Sequence, residues 1–275
     1  MVTLLRRPGQ ALAPFVDLLW YVDDPVASGF ERRLPTGGMQ IVVNLAADEL
    51  HWYAGDRFDR PQAIGGAGLS GPIARPIGID AADQRRTVGV AFRPGGAAPF
   101  VSLPAGALTE PLVDLEDLWG RAGAVLRERL MGAATPAAAL ALLESCLLDQ
   151  AIAPLEPDRA LGAAVRALEQ GCAVHHVVDR TGMSPSTLGR MFRRLVGLSP
   201  KPYARLRRLQ RVLDTVTRPG GSAWPGPLDW AAVAAEHAYF DQSHLINEFR
   251  AFTGTTPTAY RPRSHLDRNH LPITG

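Results

Sequence analysis

The sequence predicts an α+β protein whose β structure comes first and whose helices come last. Three observations point there. Short strand-like runs cut by Gly and Pro fill residues 34–99. Beyond Pro111 the apolar residues recur three and four apart, the helical period. A helical unit then occurs twice, 57 residues apart: SPSTLGRMFRRLVGLSPKPY from Ser184 and DQSHLINEFRAFTGTTPTAY from Asp241.

The strand candidates are MQIVVNL (Met39–Leu45), ELHWYAG and RRTVGVAF (Arg85–Phe92). In the last, Val88, Val90 and Phe92 alternate with Thr87, Gly89 and Ala91, the period of a half-buried strand. Helices are expected over Pro111–Ala133 and Thr135–Ile152, with Leu140, Leu143 and Leu147 on the apolar face of the second, as core or as a dimer seam. PLEPD reads as a linker. The expected division is residues 1–110 as a β-rich unit, 111–157 as a helical segment and linker open to dimerisation, 158–263 as an all-helical domain, and 264–275 as a flexible tail.

The two copies match in register at Ser186/Ser243, Leu188/Leu245, Phe192/Phe249, Arg193/Arg250, Gly197/Gly254, Pro200/Pro257 and Tyr203/Tyr260. Such self-similarity marks one supersecondary unit used twice. Each copy opens on an N-cap candidate, Ser184 or Asp241, and stops at a glycine able to take the left-handed C′ conformation. Each then restarts at Ser199-Pro200 or Thr256-Pro257, a helix-start signal, with a tyrosine in the new helix. A short apolar helix and a tight turn precede each copy. Short helix, turn and capped second helix is the helix-turn-helix plan, whose second helix enters the DNA major groove.

Charge agrees with a polyanionic partner for one half. Residues 158–275 hold 16 Arg and Lys against 9 Asp and Glu, a net of +7; residues 1–157 hold 13 against 18, a net of −5. Lys201 is the only lysine, and Arg suits bidentate contact with phosphate and guanine.

At these residues the chain resembles the AraC/XylS family of transcriptional regulators, most closely over AEHAYFDQSHLINEFRAFTGTTPTAYR (Ala235–Arg261). The resemblance spans about residues 158–263. It implies a seven-helix domain with two recognition helices, about 185–196 and 242–252, in successive major-groove segments roughly 34 Å apart. Carried over by position, the first helix presents Ser186, Thr187, Gly189 and Arg190, and the second Gln242, Ser243, His244 and Asn247. Arg193, Arg194, Arg207, Arg208 and Arg250 are candidates for phosphate contact. The chain departs from the family pattern at Gly189, where a long polar side chain is usual, and at Ala238, where a turn glycine is usual. It also has a longer Gly/Pro-rich linker, RPGGSAWPGPLD.

The N-terminal half resembles a less studied domain of some AraC-like regulators, through LPTGGMQIVVNL, GVAFRPGGAAPF and LTEPLVDLEDLWG. This implies a cupin-like β-barrel sensor. Trp20, Trp52, Tyr53 and Phe92 are its candidate effector-lining residues, with core packing as their first reading. Gly37-Gly38 and Pro94-Gly95-Gly96 read as turns. The expected partner is double-stranded DNA at a promoter or operator. RNA polymerase, an unknown small-molecule effector and a second copy of the chain remain open as further partners.

Other classes are disfavoured. His51 is the only histidine before His175, too few for a multi-histidine metal site, and no phosphate loop, nucleophile elbow or HExxH occurs. No catalytic residue, metal or cofactor is therefore expected, and a cupin-type enzyme is the weak alternative. The other alternative is a DNA-binding adaptor whose N-terminal half binds a protein. Two cysteines are too few for a disulfide framework, no run of 18 apolar residues exists, and the chain reads as cytoplasmic.

Overall fold

The computed structural model describes residues 2–55, 58–218, 228–264 and 267–273. In chain order the strands are β1 (Val2–Arg6), β2 (Val16–Asp23), β3 (Phe30–Arg33), β4 (Gln40–Asn44), β5 (Glu49–Ala54), β6 (Gln62–Gly65), β7 (Ala67–Ser70), β8 (Ile77–Asp80), β9 (Arg86–Phe92) and β10 (Leu112–Asp114). Helices α1 (Leu115–Trp119), α2 (Arg121–Met131) and α3 (Pro136–Asp149) follow. Then come α4 (Arg159–Glu169), α5 (Val174–Thr181), α6 (Pro185–Leu195), α7 (Pro200–Val216), α8 (Trp230–Glu236) and α9 (Gln242–Thr253). The described chain ends on β11 (His270–Pro272).

The α+β class holds. The strands form an antiparallel sheet ordered β1-β2-β9-β4-β7-β10 and a second ordered β11-β3-β8-β5-β6. They remain two separate hydrogen-bonded sheets, so the expected barrel is open. One face of the first sheet carries Leu19, Ile41, Val43, Leu69, Val88, Val90 and Phe92 against α1–α3. Its other face meets the second sheet across Val42, Leu50, Trp52, Ile64, Ile77, Ile79 and Leu112. β9 is therefore covered on both faces, which hides the Thr87 and Gly89 side that alternation had left exposed.

Two helical expectations change. The Pro111–Ala133 stretch begins as β10 and breaks at Gly120 (φ 57°, ψ −136°) between α1 and α2. Helices α1–α3 share the core of the first sheet. Leu140, Leu143 and Leu147 are fully buried there, which removes them as a dimer seam. The turn after α9 is a short 3-10 segment, Pro257–Ala259, in place of a seventh helix. Thr256-Pro257 starts a turn that Tyr260, fully buried, pins at once.

Residues 264–275 were expected to be a free tail; β11 corrects this. It pairs antiparallel with β3, His270 opposite Arg33 and Pro272 opposite Glu31. Leu271 and Leu34, from opposite ends of the chain, are both buried in the core of the helical domain. Gln210 of α7 donates to Pro35 O (2.8 Å) and to Asn269 Oδ1 (2.9 Å). Arg268 pairs with Asp214 (2.9 Å), and Arg263 pairs with Asp24 and Glu31. The segment is a strap that ties the helical domain to the second sheet.

Glu31 is the strap's anionic centre. Burial pushes its carboxyl up. A hydrogen bond and charge from His270 and the charge of Arg263 outweigh that and a repulsion from Asp24, leaving it below its ordinary 4.5. A lowered folded-state value means stability that is complete above pH 4.5 and is lost as pH falls through the folded value. Glu31→Gln is therefore expected to flatten the acid limb of a urea-denaturation series between pH 6 and about pH 3. A parallel acid limb in both proteins would show that Glu31 contributes nothing to it.

The helical domain docks on the two glycine motifs read as turns. At Gly37 (φ +80°) a Cβ would sit 3.3 Å from the Tyr203 ring, and Arg207 donates to the neighbouring Thr36 O (3.2 Å). At Gly95 (φ +80°) a Cβ would meet Leu161 Cδ2 at 2.3 Å. Both positions need a left-handed backbone and room for a neighbouring side chain, which glycine alone supplies cheaply.

Candidate nucleic-acid interface

The two helix pairs are built alike. In the first, Ser184 Oγ accepts from Thr187 N (3.1 Å), capping α6, and the α5 turn closes on Gly182 (φ 66°). In the second, Asp241 Oδ1 accepts from His244 N (2.7 Å), capping α9. Leu188 and Phe192 in α6, and Leu245 and Phe249 in α9, are fully buried. Phe192 packs edge-on against Tyr203 (5.6 Å) and Phe249 against Tyr260 (5.5 Å), so each copy has the same aromatic lock at its base. The trailing glycine turns close at Gly197 and Gly254, both at positive φ.

The second turn pivots on Ala238 (φ 56°), the one non-glycine residue at positive φ among the described residues. The left-handed conformation costs an L-residue about 1–2 kcal/mol, and a glycine's extra unfolded-state entropy returns about 0.5–1 kcal/mol of that. Ala238→Gly is expected to stabilise the chain by about 0.5–1 kcal/mol, read as a higher urea midpoint at unchanged slope. A lower midpoint would mean that the Ala238 methyl is packed.

With the inner faces buried, the outer faces can be compared position by position. Ser186, Arg190 and Arg193 on α6 are exposed; so are Ser243, Asn247 and Arg250, each 57 residues later on α9. Each trio is spaced i, i+4, i+7, one stripe of a helix. Gln242 is exposed beside its stripe, and so is Arg194, which also lines the cleft between the domains. Thr187 is exposed, with its hydroxyl 2.9 Å from the Ser184 cap. His244 is exposed but tethered: its Nδ1 accepts from Phe240 N (3.4 Å) and its ring stands edge-on to Tyr239.

Three candidates are not free on that face. Gly189 lies one residue before Arg190 and is covered by the Arg193 side chain, whose guanidinium is 3.7 Å from where its Cβ would be. Arg207 pairs with Glu169 (3.2 Å) and bonds the Thr36 carbonyl, holding the domains together. Arg208 grips the buried Glu248 carboxylate through Nη2, at 2.9 Å to each oxygen, donates to Ala238 O, and lies 4.1 Å from the Tyr239 ring centroid. These donors are turned toward an acid on a neighbouring helix, half-buried Glu169 for Arg207 and buried Glu248 for Arg208.

Sequence reasoning missed Phe240. It lies in the α8–α9 turn, beside Gln242, and is 92% exposed. An aromatic so exposed at the mouth of a reading helix is a contact candidate; its place in a turn, outside any periodic stripe, concealed it.

The effector candidates do not share a site. Trp52 lies in the inter-sheet core. Trp20 covers Gly89 on the inter-sheet face of the first sheet, where a Cβ would meet its ring at 2.3 Å. Tyr53 is on the outer face of the second sheet, against Phe30 and Phe58. Phe92 stacks on Phe100 on the helix side. A cleft of about 1130 Å³ does open between the domains, walled by Thr36–Gln40 and Phe92–Gly96 on one side and by α4, α7 and Asn269 on the other. Of the four aromatics only Phe92 reaches it. Among the described residues no group of three or more His, Cys, Asp or Glu could hold a metal, and no helix is long and apolar enough to cross a membrane.

Residues 177–263, from within α5 to the turn after α9, match the model of a helix-turn-helix domain. The C-terminal region is an AraC-type helix-turn-helix domain. The match supports a DNA-binding role for the region that this domain spans. Residues 6–114 match a domain of unknown function (DUF6597), whose span takes in β10 and excludes α1–α3. No curated protein matches the chain. Among solved structures, ToxT from Vibrio cholerae O395 is 10% identical, with a TM-score of 0.40 over 94% of this chain and 96% of that one. ToxT from Vibrio cholerae strain SCE256 with a bound unsaturated fatty acid is 8% identical, with a TM-score of 0.44 over 94% of each chain. The O395 protein bound to (E)-4-(8-methylnaphthalen-1-yl)but-3-enoic acid is 10% identical, with a TM-score of 0.42 over 94% and 96%. At these scores the likeness is remote.

Proposed function

We propose that the chain is a cytoplasmic transcription regulator that reads DNA with α6 and α9 in successive major-groove segments. The observation that carries this is the pair of matched outward stripes, Ser186–Arg190–Arg193 and Ser243–Asn247–Arg250, each backed by the same buried Leu, Phe and Tyr. Arg190 supplies a fork for guanine, and Gln242 and Asn247 supply amides for adenine. Arg193, Arg194 and Arg250 sit where they can neutralise phosphates, with Ser186, Thr187, Ser243 and His244 in the first turns. Phe240 offers an apolar face to a thymine methyl or a sugar. Arg207, Arg208 and Gly189 are left out of this contact set. The N-terminal domain serves as the effector-responsive part. The reading of that half as a protein-binding adaptor stays as the alternative.

The test is a mobility-shift titration on a site selected from random duplexes. Arg190→Ala and Asn247→Ala are each expected to cost about 1–3 kcal/mol and to relax preference at one base position. Arg250→Ala is expected to weaken all sequences alike and to lower the salt slope by about 0.9 log units per log of salt. Folded protein that selects no site would sink the proposal. Equal losses from base changes in the two half-sites would refute the expectation that the second copy, with its two amides, specifies more sequence.

A further inference from the structure

Arg86 opens β9, and its partly buried guanidinium has no acid to meet it. Its Nη2 donates to Leu45 O (2.7 Å), while its Nε is buried with no protein acceptor. Asp23 stands opposite it in the β2–β9 register, yet among the described residues no carboxylate forms an ion pair with Arg86. Arg6 and Arg268 also bury an unpartnered Nε, but each has its acid, Glu144 and Asp214. A guanidinium carries five donors in a fixed fork, and one carbonyl uses little of it.

Arg86 forms part of the wall of a pocket of about 220 Å³, roofed by the connection between α2 and α3. No lining residue is shared with the cleft between the domains. Tyr21 of β2 lines the pocket too. It is 9% exposed, and its hydroxyl has no hydrogen-bond partner among the described residues. Burial, then the charge of Asp23, holds that hydroxyl above its ordinary 10 against the pull of Arg86, so it is a donor at neutral pH. Thr135 and Pro136, the N-cap and first residue of the 14-residue α3, bring the positive end of that helix's dipole. The carbonyls that end α2 are already taken: Gly132 N donates to Glu128 O (3.1 Å) and Ala133 N to Leu130 O (3.2 Å). Residues 132–139 read GAATPAAA, and these short side chains leave room above Arg86 and Tyr21.

We propose that this pocket binds a phosphoryl group, as inorganic phosphate or as the head of a small phosphomonoester. Three elements supply its recognition: β9 the Arg86 fork, β2 the Tyr21 hydroxyl, and α3 its N-terminus. A tetrahedral oxyanion has acceptor oxygens enough for all three, and two of them match an arginine fork with parallel bonds. The helix N-terminus favours the same charge. The pocket's 220 Å³ equals roughly seven liquid waters at about 30 Å³ each, so a short ester chain fits beside the phosphate. The bound anion would join β2 and β9 to α3, and it would supply the counter-charge that Arg86 lacks.

The test is isothermal titration calorimetry of the full chain, without DNA, at an ionic strength held by chloride. The probes are inorganic phosphate and glycerol 3-phosphate. At least one is expected to bind the wild type saturably, at one site per chain. Tighter binding of the ester would name a monoester as the source, and equal or weaker binding would name the free ion. Arg86→Met is expected to weaken binding at least tenfold, since it removes the charge and the fork. Should that variant fail to fold, Tyr21→Phe decides, because it keeps the ring and removes only the hydroxyl. It is expected to bind about fivefold more weakly, with the melting midpoint of the ligand-free chain unchanged. No saturable binding, or wild-type affinity in the deciding variant, would overturn the proposal. None of these readouts involves DNA, so the reading-helix assignment stands or falls separately.

Discussion

Arg208→Ala should destabilise the helical domain by about 3 kcal/mol, and the loss should appear in folding before it appears in DNA binding. Glu248, 3% exposed on the inner side of α9, takes three bonds from Arg208 and one from Arg205 Nε (2.7 Å). Arg205 is itself half-exposed, so it cannot replace the lost fork. Removing Arg208 strands most of a buried negative charge, and stranding a buried partner is the expensive way to break an ion pair. It also frees the Ala238 carbonyl, at the strained turn, and uncovers Tyr239. Arg208→Lys should recover only part, because a point charge cannot hold both oxygens at once. The readouts are a urea midpoint and a salt titration of DNA affinity. If Arg208 were a phosphate contact, the midpoint would stay and the salt slope would fall; that pattern would reverse the assignment.

Ending the chain after Arg263 should be nearly as damaging. Leu271 is 4% exposed, and its burial alone is worth about 2 kcal/mol. The cut also exposes Leu34, unpairs the outer edge of β3, removes His270 from Glu31, and leaves the Gln210 amide with Pro35 alone. A flexible tail could be removed at no cost. The truncated chain is instead expected to melt lower and to exchange β3 and α7 amides faster. Protease should also cut sooner in the segment between α3 and α4. An unchanged melt would show that the strap contributes nothing.

Much of the helical domain could be read from the residues. Caps at Ser184 and Asp241, glycine stops and the apolar spacing of Leu188, Phe192, Leu245 and Phe249 are local signals, and local signals survive translation into structure. The strands at 40–44, 49–54 and 86–92 were legible for the same reason. What failed was non-local. Helical spacing shows that Arg207 and Arg208 share a face but not that Glu169 and Glu248, some 40 residues away, wait beside it. A three-residue strand such as His270–Pro272 has no period, and its cause is the open edge of β3. Gly37 and Gly95 read as turns because the side chains that press on them, Tyr203 and Leu161, come from another domain. The Gly/Pro-rich linker lies mostly in residues 219–227, outside the described residues. Which outward residues touch DNA was legible only as a list. Packing narrows it, by committing Arg207 and Arg208 to acids and leaving Phe240 out in the open.

The repeated glycine turns have one further consequence. A Cβ on Gly197, after α6, would meet Pro72 at 2.1 Å, and one on Gly254, after α9, would meet Arg32 at 3.4 Å. Both readers thus rest on the β domain through the same point of their repeat. The angle between them is set by a third body as well as by α7, much as a caliper's jaws are set by its frame. DNA advances by about 34–36° per base pair at 10–10.5 pairs per turn, so a frame that flexes slightly retunes which helical phase the two jaws accept together. A small displacement in the β domain would then be felt as a change of preferred spacing between half-sites, with each jaw's own base preference left intact.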